Sequence, residues 1–312
     1  MKPEDIENVG VVGGGMMGFG IAINFALNGY PTVIQDVSDD VLSASRKNIR
    51  AALDLFVEEQ HITREHAAAA DERIAMTTDL AELASRSDFV TEAIVERLAD
   101  KQELFNRLDA LCPPHTILVS NTSYHVVSEI GAGVKRQDKI GLTHYFAPPH
   151  IVPGVEVARA PGTSDETYGI VYDLMKRIGK IPIRVLKEKS GYLLNRLQGA
   201  MAREALQLWA EGLATFEEIE LGVRTTFGFR MPHEGPLYHH DLSGIWRWPE
   251  DAGNPRRGIP DPPPPDAVAE KMRARMAERK PWFVEPERLD EALEKRDREY
   301  IRRLKTLYGS DE

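Results

Sequence analysis

Residues 8–36 read NVGVVGGGMMGFGIAINFALNGYPTVIQD, and the reading of this stretch decides the fold. A short apolar run ends in glycines at positions 13, 14, 15 and 18 and leads into a segment of helical character. Glycine loses more conformational entropy on folding than any other residue, so clustering it weakens a fold unless the bare backbone is needed. The set Gly13, Gly14, Gly15, Met16, Met17 and Gly18 fits G-x-G-x-x-G. Gly13 permits a tight turn, Gly15 lets a pyrophosphate approach the backbone, and Gly18 lets the helix pack on the strand. The phosphates then lie at the positive end of that helix. Asp36 closes the next strand about 20 residues on, where a carboxylate accepts from ribose hydroxyls. It also repels a 2′-phosphate, so NAD is expected rather than NADP. Gly10 stands outside this pattern.

Outward from the turn, short β-rich runs alternate with helical ones. VGVVG (9–13), TVIQD (32–36), RIAMTT (73–78), DFVTEAI (88–94), TILVSN (116–121) and IGLTHYF (140–146) are strand candidates. VLSASRKNIRAALDLFVEEQ and ADKQELFNRLDALC between them have helical periodicity. GVEVARA and IPIRVL follow, separated by the helix SDETYGIVYDLMKRIG. Such alternation predicts a parallel sheet covered on both faces. From Ser190 the texture becomes almost wholly helical, apart from the proline-rich stretch 246–266. The closing LDEALEKRDREYIRRLKTLY reads as a long charged helix. The expected architecture is α/β: a Rossmann-like doubly wound sheet over residues 1–188, then a smaller all-helical substrate and dimerisation domain over 189–312.

Bulk properties narrow the class. The 312 residues are 42% hydrophobic and 28% charged, the composition of a globular protein. No apolar run reaches the roughly 20 residues that span a bilayer. The 39 basic against 49 acidic residues give a net charge of −10, which argues against nucleic acid or an anionic membrane as partner. A single cysteine, Cys112, precludes an internal disulfide, and no signal segment opens the chain, so a cytoplasmic location is expected. His233, His239 and His240 cluster within residues 233–240, but no cysteine or carboxylate set completes a metal site.

Chemistry gathers at the carboxyl ends of the later strands, the edge where doubly wound sheets bind ligands. SNTS (120–123), THYF with His144, and PGVEV with Glu156 lie there. Oxidising a secondary alcohol requires removal of the hydroxyl proton as hydride departs, a task suited to histidine. A carboxylate on the other ring nitrogen would fix the tautomer and stabilise the imidazolium.

Together the glycine turn, Asp36, TEAIVERLADKQELF, SNTS, His144 with Glu156 twelve positions on, and SGYLLNR resemble the 3-hydroxyacyl-CoA dehydrogenase family. The similarity runs from about residue 7 to about residue 245. The resemblance implies that His144 is the general base and Glu156 its partner. Ser123 and Asn195 would hydrogen-bond the substrate oxygen, and Glu96 and Lys101 would contact the cofactor. It also implies a homodimer built through the helical domain.

Some positions depart from the family pattern. Where the family has asparagine three residues after the histidine, this chain has Ala147. The positions matching the family's CoA contacts are Ala52 and Glu59, and a carboxylate opposes a phosphate-rich ligand. APPHIVPGVEV and GFRMPHEGPL resemble the λ-crystallin (gulonate 3-dehydrogenase) and carnitine dehydrogenase branch. Arg230 then becomes a clamp for a free substrate carboxylate. The expected activity is NAD-dependent oxidation of a 3-hydroxy acid, or a related polar secondary alcohol, to the ketone. The alternatives are a true 3-hydroxyacyl-CoA dehydrogenase and an NAD-binding protein that has lost catalysis.

Overall fold

The structure, a computed structural model, describes residues 2–244 and 283–308, with isolated positions between 270 and 281. The proline-rich stretch 246–266 lies outside the described residues. The chain divides into two compact units, residues 1–201 and 202–312.

The first unit is built on one eight-stranded sheet in the order β3-β2-β1-β4-β5-β6-β7-β8. Its strands are β1 (Val9–Val12), β2 (Thr32–Gln35), β3 (Ile74–Thr77), β4 (Phe89–Glu92) and β5 (Ile117–Ser120). β6 (Ile140–Tyr145), β7 (Gly154–Arg159) and β8 (Ile181–Val185) complete it. Strand order reverses between β1 and β4, the crevice where such sheets receive ligands. Every pairing is parallel except β6 with β7. A parallel pair needs a crossover of a dozen or more residues. Only residues 146–153 join β6 to β7, so the chain returns antiparallel. This departs from the all-parallel pattern of the preceding strands.

Helices α1 (Met16–Leu27), α2 (Asp39–Glu58), α3 (Arg64–Glu72) and α7 (Asp165–Arg177) cover one face. They bury Ile21, Phe25, Ile49, Leu53, Ile170 and Leu174 against it. α4 (Leu80–Arg86), α5 (Leu98–Leu111) and α6 (Val127–Ile130) cover the other with Leu83, Phe105, Leu108 and Ile130. Side-chain caps fix several helix starts: Thr63 accepts from His66 N, Asp79 from Ala81 N and Ser164 from Thr167 N.

Two glycines outside the fingerprint now have a physical account. A Cβ on Gly10 would lie 2.7 Å from both Leu83 Cδ2 and Ser87 Oγ, so bare backbone lets α4 lie close over β1. A Cβ on Gly20 would lie 2.6 Å from Pro149 Cγ and 2.8 Å from His150 Nδ1, so α1 receives the loop after β6 there.

The change of texture near Ser190 suggests a boundary at 188, yet the compact sheet unit runs on to Met201. Residues 193–195 explain this, because the amides of Leu193 and Leu194 are bonded to the sheet residue Glu156. They open α8 (Leu194–Ala210).

The second unit adds α9 (Phe216–Thr225), α10 (Phe227–Arg230), α11 (Pro236–Leu242) and α12 (Leu289–Tyr308). Its small apolar centre is Leu242, Val284 and Leu289. Asp241 is buried and accepts from the Phe283 and Val284 amides at 2.6 Å each. α12 is charged on its outer side, with Glu294–Arg298 and Glu299–Arg302 pairs.

The Gly10 packing is testable. Gly10→Ala forces α4 outward and should lower stability in urea denaturation by about 1–3 kcal/mol, the usual cost of overpacking. Wild-type stability in this variant would show that α4 moves without cost.

Candidate active site

The glycine turn forms as its spacing requires. Gly13 takes φ +103°, and a Cβ there would lie 2.5 Å from the Ala93 carbonyl oxygen. A Cβ on Gly18 would lie 1.7 Å from the Gly13 oxygen, which no side chain could tolerate. Gly15 caps α1, and nothing lies within 4 Å of where its Cβ would be, so this is the open side of the turn. Gly13, Gly14 and Gly18 are buried, while Gly15 and Met16 are exposed. The half-buried Met17 side chain packs against the core.

The Asp36 carboxylate accepts from Gly14 N at 2.8 Å through Oδ2 and from Ser38 N at 3.4 Å through Oδ1. The turn and Asp36 line a cleft of about 740 Å³ together with Val37, Thr78 and Ile94. A bare-backbone turn at a helix start, with a carboxylate at the neighbouring strand end, fits a dinucleotide.

At the same sheet edge the β6–β7 register pairs His144 directly with Glu156. Their side chains are 3% and 0% exposed, and His144 Nδ1 lies 2.7 Å from Glu156 Oε2. Glu156 Oε1 accepts from the amides of Leu193 at 3.0 Å and Leu194 at 2.8 Å. A carboxylate oxygen accepts, so in the neutral tautomer that donates to Glu156 the proton is on Nδ1 and the lone pair on Nε2. Ser123 Oγ lies 3.2 Å from that Nε2. Asn195 Nδ2 donates to the Ser123 carbonyl at 3.3 Å, so within the protein it holds the serine loop. The structure therefore brings Ser123, His144, Glu156 and Asn195 together.

Glu96 and Lys101 join this site from below. Glu96 Oε1 accepts from the Thr122 hydroxyl and from the amides of Ser123 and Tyr124, each at 3.0 Å. Burial raises the Glu96 carboxyl, but the Thr122 hydrogen bond and the Lys101 charge outweigh it and hold the group low. Lys101 is buried at 1% exposure, its ammonium 2.6 Å from Glu92 Oε1 and 3.0 Å from Glu96 Oε2. Glu92, which the sequence reading passed over, is wholly buried at the end of β4. It also accepts from Ile94 N at 2.8 Å and Ser120 Oγ at 2.5 Å. An acidic residue inside the apolar run DFVTEAI was its only signal.

The loop after β6 is fastened by Lys180, whose ammonium donates to the carbonyls of Pro149 at 2.6 Å and Val152 at 2.9 Å. Burial pushes the Lys180 ammonium down to about 8. Asn24 Nδ2 donates to the same Pro149 oxygen at 3.0 Å. Ala147 is exposed in this loop and offers only a methyl group.

Arg230 belongs to the second unit, at the end of α10. There His239 Nδ1 and Tyr300 Oη both lie close to Glu234 Oε1, at 2.5 and 2.6 Å.

Lys101→Met strands the Glu92 carboxylate without its cation. It should cost about 3–5 kcal/mol in urea denaturation, the scale for breaking a buried ion pair. The double variant with Glu92→Gln should recover part of the loss. A single variant as stable as wild type would show that the pair contributes nothing to holding this edge.

Two family models match the chain: "3-hydroxyacyl-CoA dehydrogenase, NAD binding domain" over residues 8–189, and the corresponding "C-terminal domain" over residues 191–280. The human mitochondrial hydroxyacyl-coenzyme A dehydrogenase is 36% identical over 247 residues, 77% of each chain. A probable 3-hydroxybutyryl-CoA dehydrogenase of Bacillus subtilis is 34% identical over 241 residues, 77% of this chain and 82% of its own. Among solved structures, (S)-3-hydroxybutyryl-CoA dehydrogenase from Ralstonia eutropha has a TM-score of 0.67 at 33% identity, covering 77% and 83%. The 5-formyl-3-hydroxy-2-methylpyridine 4-carboxylic acid 5-dehydrogenase, an NAD+-dependent dismutase, has a TM-score of 0.74 at 25% identity, covering 98% of this chain and 100% of its own. With the glycine turn, the sheet order and both matched domains in agreement, the chain belongs to the 3-hydroxyacyl-CoA dehydrogenase family of NAD-dependent oxidoreductases acting on CH–OH groups.

Proposed function

We propose that this enzyme oxidises the hydroxyl of a free, polar 3-hydroxy acid to the ketone, with His144 as general base and Glu156 as its partner. The observation that carries this reading is the buried His144–Glu156 pair, whose Nε2 faces Ser123 at the sheet edge that also bears the glycine turn. The turn around Gly15 and the Asp36 carboxylate would hold NAD, which when bound supplies the hydride acceptor.

The remaining work falls to the chain's own groups. His144 Nε2 takes the hydroxyl proton, while Glu156 keeps the proton on Nδ1 and offsets the imidazolium charge. Burial keeps water from competing for the base. Ser123 Oγ, held by Glu96 through its backbone, is the donor for the substrate oxygen, and Asn195 keeps its loop in place.

The preference for a free acid rests on α2. Ala52 packs against the core and Glu59 caps the helix, exposed beyond Glu58 and Asp54. A helix C-terminus is already negative, so this end repels the phosphates of CoA. Arg230 is the proposed clamp for the free carboxylate, following the likeness of GFRMPHEGPL to the λ-crystallin and carnitine dehydrogenase branch. A cytoplasmic location is proposed with this reading, on the single buried Cys112.

We also propose a homodimer. No residue of α8 or α9 is buried, and Trp209, Leu213 and Phe216 are 54%, 73% and 57% exposed. A second copy is the proposed cover for this apolar face.

The activity is tested with NAD against gulonate, carnitine, 3-hydroxybutyrate and 3-hydroxybutyryl-CoA. A free acid should give the highest kcat/KM; a thioester that outruns every free acid overturns the substrate assignment. His144→Asn and Glu156→Gln should each lower kcat about 10²–10⁴-fold with NAD affinity kept, as expected for loss of general-base catalysis. Undiminished turnover in His144→Asn would remove the histidine from the chemistry. Light scattering should give a dimer mass, and Trp209→Asp with Leu213→Asp should shift it toward monomer. A monomeric wild type overturns the dimer.

A further inference from the structure

The segment between β8 and α8 contains the only non-glycine besides Gln60 that takes a positive φ among the described residues. Gly191 has φ +76° and Tyr192 φ +43°. Two successive left-handed residues turn the chain so that the next two amides, of Leu193 and Leu194, converge on Glu156 Oε1. A side chain resists this conformation, so surrounding contacts must hold Tyr192 there. They are on the page: Tyr192 is 2% exposed, and its ring centroid lies 6.2 Å from that of His144. Its phenol donates to the His125 carbonyl at 2.8 Å.

His125 follows Ser123 by two residues, and its own amide donates to Thr122 Oγ1 at 3.0 Å, within the loop that Glu96 secures. One residue thus bears on both flanks of the histidine. Its left-handed backbone brings the Leu193 and Leu194 amides to Glu156 on the Nδ1 side, and its hydroxyl, through the His125 carbonyl, restrains the Ser123 loop on the Nε2 side. We propose that Tyr192 is a positioning residue that fixes the spacing of Ser123 and Glu156 about His144. The inference rests on reading His144 as the base, and its test separates the two.

Tyr192→Phe keeps the ring and the backbone shape and removes only the hydroxyl. The proteins to compare are wild type, Tyr192→Phe, Ser123→Ala and the double variant, each labelled with 15N-histidine. The His144 signal is assigned by its loss in His144→Gln. Tyr192→Phe should shift the His144 Nε2 resonance while the thermal midpoint and NAD affinity stay at wild-type values. The shift should vanish in the Ser123→Ala background, because the hydroxyl acts through the serine loop. With the faster of 3-hydroxybutyrate and 3-hydroxybutyryl-CoA, kcat should fall about three- to tenfold at unchanged KM, the effect of one neutral hydrogen bond.

An unmoved His144 resonance overturns the proposal, as does an equal shift in both backgrounds. A lowered midpoint with His144 unchanged makes Tyr192 an ordinary core residue and also overturns it. A shifted resonance in a protein that oxidises neither probe supports the positioning role and counts against the proposed function alone.

Discussion

The antiparallel register of β6 and β7 is the constraint on which the rest of this site depends. It sets His144 opposite Glu156, so twelve residues of sequence separation become a single cross-strand step. Directly opposed residues in such a pair have Cβ atoms about 5 Å apart, close enough for imidazole and carboxylate to meet. A slip of β7 by one residue would send Glu156 to the opposite face of the sheet from His144. The buried Val155 and Val157 on β7 guard against that slip, since each would then face the wrong layer. Core packing thereby fixes a chemical distance of 2.7 Å.

Three carboxylates extend this order by each serving more than one neighbour. Glu156 divides its oxygens between His144 and the start of α8. Glu96 joins Lys101 to the Ser123 loop, and Glu92 joins Lys101 to β5 through Ser120. Buried charges are costly when any partner is missing, and here the neighbouring donors fill both oxygens of each. Such a network lowers the number of arrangements the edge can take. Directional bonds therefore hold His144 between fixed groups.

Much of this was legible in the sequence. The glycine turn and Asp36 announce themselves through backbone sterics, and the strand alternation announces the sheet. The family likeness added His144, Glu156, Ser123 and Asn195, which the structure assembles within one unit. The antiparallel return was less visible, because strand propensity carries no direction and only the short link 146–153 forces it. The likeness implied a cofactor contact for Lys101 but not its burial, which follows from Glu92, hidden in an apolar run. Tyr192 gave no local signal, as a left-handed tyrosine is set by its tertiary partners against its own preference. Gly10 was unexplained for a similar reason: what it admits, Leu83 and Ser87, comes from more than seventy residues away.

The 3.2 Å contact between Ser123 Oγ and His144 Nε2 bears on how a substrate hydroxyl is accepted. At 3.2 Å it lies at the long end of the range for an oxygen–nitrogen pair. On the other nitrogen the carboxylate contact is short at 2.7 Å. The two sides of the ring are thus held with unequal strength. In the proposed reaction, a hydroxyl arriving at Nε2 would displace the weaker contact and leave Ser123 free to donate to the same incoming oxygen. The stronger contact stays in place and keeps the ring oriented throughout. Because Glu156 also holds the amides at the start of α8, that orientation is tied to the helix carrying Asn195. With His144 as the proposed base, its Nε2 is aimed before the substrate arrives, and little reorganisation would be left for the reaction itself.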